Sequence, residues 1–430
     1  MRSIRKLSSF ILSSALILVS CSCTNDISSA APTSEMPVSA PVITTEAPVT
    51  TSVTSSATTV TTTEITTTTA EPEPEPVYEE RSFPADERYV KMIGRTYYSD
   101  DTLWLIHSAS GIDFTFTGDH ASVTIAGDSS IYGKETSKAR MAVYVNGVRT
   151  IDEMITAAEK TYDIWSSDVC KLTKIKILKL SEPSHSAFGI KSIDVGSYGD
   201  IEPMPPKALN IEFIGDSITC GYGIDESEPN NHFSTEIEDA TKTYAYKTAE
   251  KLGADYSIVA FSGNGILSGF TNSTEKRNTY DLLPKKYVKT GSVYTAGGTV
   301  IPDTDWDFGR FIPDIVVINL GTNDATYTAG NSEKELAFEE EYVKFIGTVR
   351  EYNPSAHIIC TLGMISADLY DTIVLAADYY TASTGDTNIS TLKFATQDGS
   401  LGYGADWHPS EGTNELAAEL LTEHIKNLHL

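Results

Sequence analysis

The chain has 430 residues, of which 40% are hydrophobic, enough for two domains and a sizeable core. Its 32 basic and 59 acidic residues leave a formal net charge of −27, which argues against a nucleic-acid partner, whose phosphates need a basic face. A neutral partner suits this balance, as does solubility alone.

The first residues, MRSIRKLSSFILSSALILVSCSC, put three positive charges ahead of an apolar run of about fourteen residues, the n-region and h-region of an export signal. That run is too short for a stable transmembrane helix. It ends in Leu18-Val19-Ser20-Cys21, which resembles the bacterial lipobox. Residues 1–21 are therefore expected to be a lipoprotein signal peptide, with Cys21 lipidated and the protein tethered to the outer face of a membrane; plain signal-peptide cleavage is the alternative. Residues 22–78 read as a disordered Thr/Ser/Pro-rich linker. From 25 to 77 they carry no aromatic residue, no glycine and no apolar periodicity, so they cannot bury enough surface to offset chain entropy. Extended at about 3 Å per residue, such a stalk reaches roughly 150 Å. Beyond the leader only Cys170, Cys220 and Cys360 remain, an odd and widely spaced set that reads as buried free thiols rather than disulfides or a zinc site.

Between 79 and 205 short alternating runs follow one another: GIDFTFTG (111–118), HASVTIAGD (120–128), ARMAVYVNGVRT (139–150) and TKIKILKLSE (173–182). Period-two alternation broken by Asn-Gly and Thr-Gly predicts antiparallel strands, and the segment is expected to be a small β-sandwich of jelly-roll type. PMPPKA (203–208) ends that pattern. From 206 to 430 apolar runs take over, IEFIGD (211–216), DYSIVAFSG (255–263), PDIVVINLGTND (313–324) and AHIICTLGM (356–364), with helix-like stretches at 243–253 and 333–352 between them. Doubly buried strands alternating with helices predict a parallel, three-layer α/β/α domain, whose working residues belong in loops beyond the strand C-termini.

Three of those strand ends are unusual: Gly215-Asp216-Ser217, Ser262-Gly263-Asn264-Gly265 and Gly321-Thr322-Asn323-Asp324. With GADWHPS at 404–410 they resemble, in order, the four blocks of the SGNH, or GDS(L), hydrolase group. A serine hydroxyl needs a base within hydrogen-bond reach, and a tetrahedral oxyanion needs preorganised donors. The resemblance implies that Ser217 is the nucleophile, that His408 is the base, and that the N–H groups of Ser217 and Gly263 and the amide of Asn323 form the oxyanion hole. Asp216 and Asp324 read as hydrogen-bonding supports rather than acid or base.

The β-sandwich in front of such a domain is similar to carbohydrate esterase family 2. Stretches that carry this likeness include GRTYY (94–98), SGIDFTFTG (110–118), TKTYAYKTAEKLGADYSIVAFSGNGI (241–266) and WDFGRFIPDIVVINLGTND (306–324). The family removes acetyl groups from plant cell-wall polysaccharides, so the likeness implies an acetylated xylan, mannan or glucomannan as substrate and an acyl-enzyme mechanism with no metal and no cofactor. Trp407, beside His408, and Trp306 are candidate sugar-binding aromatics. A cell-surface monomer is expected. The alternatives are an acyl-hydrolase acting on another ester, such as an acetylated cell-envelope glycan, and a non-catalytic carbohydrate-binding protein.

The acid behind His408 stays open. In a large hydrolase group it sits three residues earlier, where this chain has Ala405; Asp406 is two earlier. If 406–408 is extended, Asp406 reaches the imidazole Nδ1. If the segment turns into a helix, as Pro409 at a first helical position suggests, a main-chain carbonyl must orient the ring. Asp406 is expected to take part.

Overall fold

A strand buried on one face alternates apolar and polar residues because successive side chains point to opposite faces, and the β-rich segment obeys this rule. The computed structural model describes residues 77–429, all within the unit Glu73–Leu430. Cys21, the expected signal peptide and the stalk before residue 77 lie outside the described residues. Two long strands, Gly111–Gly127 and Glu159–Lys179, pair antiparallel. Seven strands of this ten-stranded sheet run in the order Thr96–Ser99, Thr102–Leu105, Phe188–Ser197, Gly111–Gly127, Glu159–Lys179, Arg140–Val145, Val148–Met154. Of the other three, Glu79–Phe83 pairs with Phe188–Ser197, and Lys91–Ile93 and Glu202–Pro203 pair with Gly111–Gly127. Alternate residues of these strands, among them Ile112, Phe114, Val123, Met141, Val143, Ile175, Ile177 and Ile193, meet in one buried cluster.

Segments 111–118 and 120–128, expected as two strands, are one. The register slips between Gly118 and His120 instead of turning. A Cβ on Gly118 would lie 2.0 Å from the Gly196 carbonyl oxygen, so this glycine permits close strand contact at a bulge. Segment 139–150 is a hairpin, because Asn146 and Gly147 both take positive φ (50° and 85°) as a tight type I′ turn requires.

The second sheet is wholly parallel, in the order Asp255–Ala260, Asn210–Gly215, Ile315–Asn319, His357–Met364, Ile389–Thr396. Helices cover both its faces. Ile211, Phe213, Ile258 and Val317 pack against α2 (Tyr244–Leu252) and α7 (Glu411–Lys426), while Ile214, Val259, Val316 and Ile318 pack against α5 (Ser332–Tyr352) and α6 (Tyr370–Thr384). α2 is closed by signals visible in the sequence: the Thr243 side chain accepts the Tyr246 N–H, and Gly253 ends it at φ 62°.

The two regions share a core. Ile93, Ala142, Leu178 and Leu180 of the β-rich region join Ile211, Ala245 and Tyr256 in one cluster. Buried Arg95 pairs with buried Glu212 at 3.2 Å, and Glu212 also accepts the Tyr287 hydroxyl at 2.9 Å.

Candidate active site

Parallel strands end on one edge of their sheet, and loops from that edge gather the unusual residues of the sequence. Ser217 opens a single helical turn, α1 (Ser217–Cys220), just after the interior strand Asn210–Gly215. The Asp216 side chain caps this turn by accepting the Ile218 N–H at 3.0 Å. His408 comes from the loop ahead of α7. Its Nε2 lies 2.9 Å from Ser217 Oγ, and its Nδ1 lies 3.2 Å from the carbonyl oxygen of Ala405. Burial pushes the imidazole pKa down to about 4, against an opposing pull from the main chain of Ala405 and Asp406. At neutral pH the ring is therefore uncharged, Nδ1–H donates to Ala405, and Nε2 is a lone-pair acceptor for the serine proton.

Asp406 departs from expectation. Its Oδ1 meets His232 Nδ1 at 2.8 Å, and its Oδ2 accepts the Tyr222 hydroxyl at 2.9 Å and the Phe233 N–H at 3.1 Å; His408 is not among these partners. The left-handed backbone at Asp406 and Trp407 (φ 49° and 62°) breaks the extended geometry that would have put side chains 406 and 408 on one face. The alternative, a helix with Pro409 at its first position, does not form either, since α7 starts at Glu411 behind the Ser410 cap; the main-chain carbonyl that this alternative called for is nonetheless the Nδ1 partner. Burial works against the Asp406 charge, yet the bonds from His232, Tyr222 and the Phe233 N–H hold its pKa below the usual carboxylate range. What it supports is Tyr222, whose ring stacks on the His408 imidazole at 4.0 Å and 27°, with Phe233 stacked behind it at 4.1 Å. Sequence reasoning missed Tyr222, His232 and Phe233, which lie in loops without periodicity.

The segments carrying the expected oxyanion donors are tied to the residues just before Ser217: the Asn323 amide donates to Asp216, and the Phe261 N–H, two residues before Gly263, donates to the Gly215 carbonyl oxygen at 3.3 Å. Among the described residues the N–H groups of Ser217 and Gly263 have no main-chain acceptor; for Ser217 this is an unfilled donor of a helix N-terminus, while Gly263 lies in a turn. Gly263 sits at φ +73°, and a Cβ there would meet nothing nearer than Phe270 Cβ at 4.0 Å; its backbone angle rather than crowding is what calls for glycine. The Asn323 amide, in the first turn of α4 (Thr322–Thr328), donates to Asp216 Oδ2 at 3.1 Å and to the Asn264 carbonyl at 2.9 Å, so it must share one of these hydrogens with an incoming oxyanion. Asp324 is buried and accepts the N–H groups of Ile266, Leu267 and Ser268 at 2.7–3.1 Å. Burial raises its pKa to about 6, and burial together with the Asp324 charge raises Asp216 to about 7. Both aspartates are bonded as supports of the loops, in line with the sequence reading.

The two tryptophans separate. Trp407 is 52% exposed, edge-on to Tyr403 at 5.1 Å and next in chain to His408. Trp306 is 6% exposed and lies between the Arg95 and Arg310 guanidinium groups, 5.2 and 5.0 Å from its ring. It lines a cavity of about 780 Å³ together with Asn210 and Asp255, the first residues of their strands and so at the sheet edge opposite Ser217. The expectation that Trp306 packs against substrate at the active site is therefore corrected: it fills the border between the two regions. Cys220 and Cys360 are buried free thiols as expected; Cys170 is free but only half-buried, which corrects the expectation of burial for it.

Comparison with known proteins gives two family matches: the GDSL-like Lipase/Acylhydrolase family over residues 213–411 and the Carbohydrate esterase 2 N-terminal family over residues 92–205. The chain is 32% identical over 324 residues to Cellulase/esterase CelE of Acetivibrio thermocellus, a match covering 74% of this chain and 37% of that protein; the chain thus spans little more than a third of that relative. It is 22% identical over 347 residues to an Acetylxylan esterase / glucomannan deacetylase of Cellvibrio japonicus, covering 80% and 90% of the two chains. Among solved structures, an active-site mutant of a family two carbohydrate esterase from Clostridium thermocellum superposes with a TM-score of 0.67 at 30% identity, covering 79% of this chain and 98% of that one.

Proposed function

The chain belongs to carbohydrate esterase family 2 and is a carboxylic ester hydrolase, and on that premise we propose that it removes O-acetyl groups from plant cell-wall polysaccharides through an acyl-enzyme on Ser217. The observation that carries this reading is the 2.9 Å contact between His408 Nε2 and Ser217 Oγ. Ser217 Oγ attacks the acetyl carbon while its proton passes to Nε2, and the carbonyl oxygen becomes an oxyanion facing the Ser217 and Gly263 N–H groups and the Asn323 amide. The intermediate collapses as the bond to the sugar oxygen breaks and Nε2 returns the proton to that oxygen. Water then gives a proton to Nε2, attacks the acetyl-serine, and releases acetate with Ser217 restored.

Among the described residues no carboxylate hydrogen-bonds to the base, so in this reading the site works as a Ser-His dyad. The imidazolium that forms in each step meets the Ala405 carbonyl at Nδ1 and the face of Tyr222, whose bond to Asp406 adds electron density to the ring. Trp407 offers an exposed face for a pyranose beside the base.

The name of the Cellvibrio relative supports acetylated xylan or glucomannan as the substrate class. In the same reading, residues 79–205 form the jelly-roll sandwich and 206–430 the three-layer hydrolase domain. Cys21 and the stalk would then hold a monomer outside the cell on a lipid anchor. Acetate release by wild type and Ser217→Ala from acetylated xylan, acetylated glucomannan and acetylated peptidoglycan tests the proposal. Release from the plant polysaccharides by wild type alone is expected. Release from peptidoglycan alone would redirect the enzyme to a cell envelope, and equal release by both proteins would sink the assignment of Ser217.

A further inference from the structure

Gly263 can serve an oxyanion only if its peptide is held at a fixed height above Ser217. Asp324 restrains the loop from one side, through the N–H groups of residues 266–268. On the other side the restraint comes from a different part of the chain. Glu182 lies in the loop between strands Glu159–Lys179 and Phe188–Ser197 of the β-rich region, and it is fully buried. Its Oε2 accepts the N–H of Ser262, the residue before Gly263, at 2.9 Å.

The same oxygen faces the thiol of Cys220 at 3.9 Å, and Cys220 closes the helical turn that Ser217 opens. The other carboxylate oxygen lies 3.5 Å from His185 Nε2. The His185 ring packs on Phe233 at 5.3 Å, the far member of the stack that ends on His408. One carboxylate therefore touches the oxyanion loop and the nucleophile turn, and through His185 the support of the base.

Its own placement is fixed as firmly. The Glu182 N–H donates to Glu238 Oε2 at 2.9 Å, and Lys179 Nζ donates to the Glu182 carbonyl at 3.0 Å. Glu182, Glu238 and Cys220 are residue types that hold metals, but the buried Lys179 ammonium already supplies a positive charge there. Burial raises Glu238 well above its ordinary pKa, which leaves Glu182 as the charged member of the pair.

We propose that Glu182, lent by the β-rich region, is a positioning residue of the oxyanion hole that fixes the Ser262–Gly263 peptide over Ser217. The β-rich region is then part of the catalytic unit and not a separable binding module. A displacement of about 1 Å at such a donor costs on the order of 100-fold in rate, and the effect falls on turnover because the donor acts on charge that develops in the transition state.

The inference rests on the proposed Ser217 chemistry, so the test is read only as the Ser217-dependent rate, with Ser217→Ala subtracted; a wild type without such a rate would overturn the reaction itself. In the full chain, Glu182→Ala is expected to lower kcat on 4-nitrophenyl acetate by about 50-fold with KM within threefold. Glu182→Gln, which keeps an oxygen for the Ser262 N–H but loses the charge, should recover most of that loss and sit about fivefold below wild type. Circular dichroism and the melting temperature report whether each variant folds. A folded Glu182→Ala with kcat within twofold of wild type, or a loss confined to KM, would overturn the proposal. If Glu182→Ala does not fold, Glu182→Gln decides: kcat within twofold of wild type overturns it, and a fivefold loss at constant KM upholds it.

Discussion

Because Asp406 accepts hydrogen bonds from Tyr222, His232 and the Phe233 N–H and none from His408, Asp406→Ala should lower kcat/KM by about tenfold or less, where losing a triad acid costs about 10⁴-fold. A loss of several orders of magnitude would restore it as the acid of a triad. The pH profile follows from the base. His408 must be unprotonated to take the serine proton, and burial holds its pKa near 4, so kcat/KM should stay level through neutrality and fall only below about pH 5 as protonation sets in. A midpoint near the ordinary histidine value of 6.5 would contradict this account of the site. Ser217, Gly263, Asn323 and His408 were legible as candidates because four short blocks occur in a fixed order, and the structure brings Ser217 and His408 of that set to 2.9 Å. Ala405 was not, since its contribution is a carbonyl group that every residue possesses. Tyr222 and Glu182 stayed hidden because their contacts depend on how distant loops meet.

At the level of elements, the oxyanion loop hangs on Asp324. Asp324→Ala would leave three buried N–H donors without an acceptor, each costing about 1–3 kcal/mol, so a loss of roughly 3 kcal/mol or more in urea unfolding is expected. A change under about 1 kcal/mol would mean that the loop finds other partners. The loop has little freedom to do so: a Cβ on Gly265 would sit 2.0 Å from the Ser268 carbonyl oxygen and 2.6 Å from Asp324 Oδ2, which shows how closely the backbone wraps the carboxylate. The first four parallel strands were legible as apolar runs. The fifth, Ile389–Thr396, was not, because it lies at the sheet edge with a single buried residue, Phe394, and needs no apolar pattern. The first half of Glu159–Lys179 escaped for the same reason, its residues being mostly exposed.

For the molecule as a whole, the change of pattern near residue 205 marks a real change from antiparallel to parallel sheet, yet it does not mark a gap. Arg95 and Glu212 form a buried ion pair across it, and Trp306, read from sequence as a sugar platform, packs into that border instead. Periodicity reports which face of an element is buried and is silent on what buries it. The central claim is that this joined body transfers an acetyl group to Ser217. It is tested most directly by mixing the full chain with 4-nitrophenyl acetate, quenching in acid within the first turnovers, and locating the label by peptide mass spectrometry. One acetyl group on the peptide carrying Ser217, absent from Ser217→Ala, is the predicted result; continued acetate release with Ser217 never acetylated would contradict it.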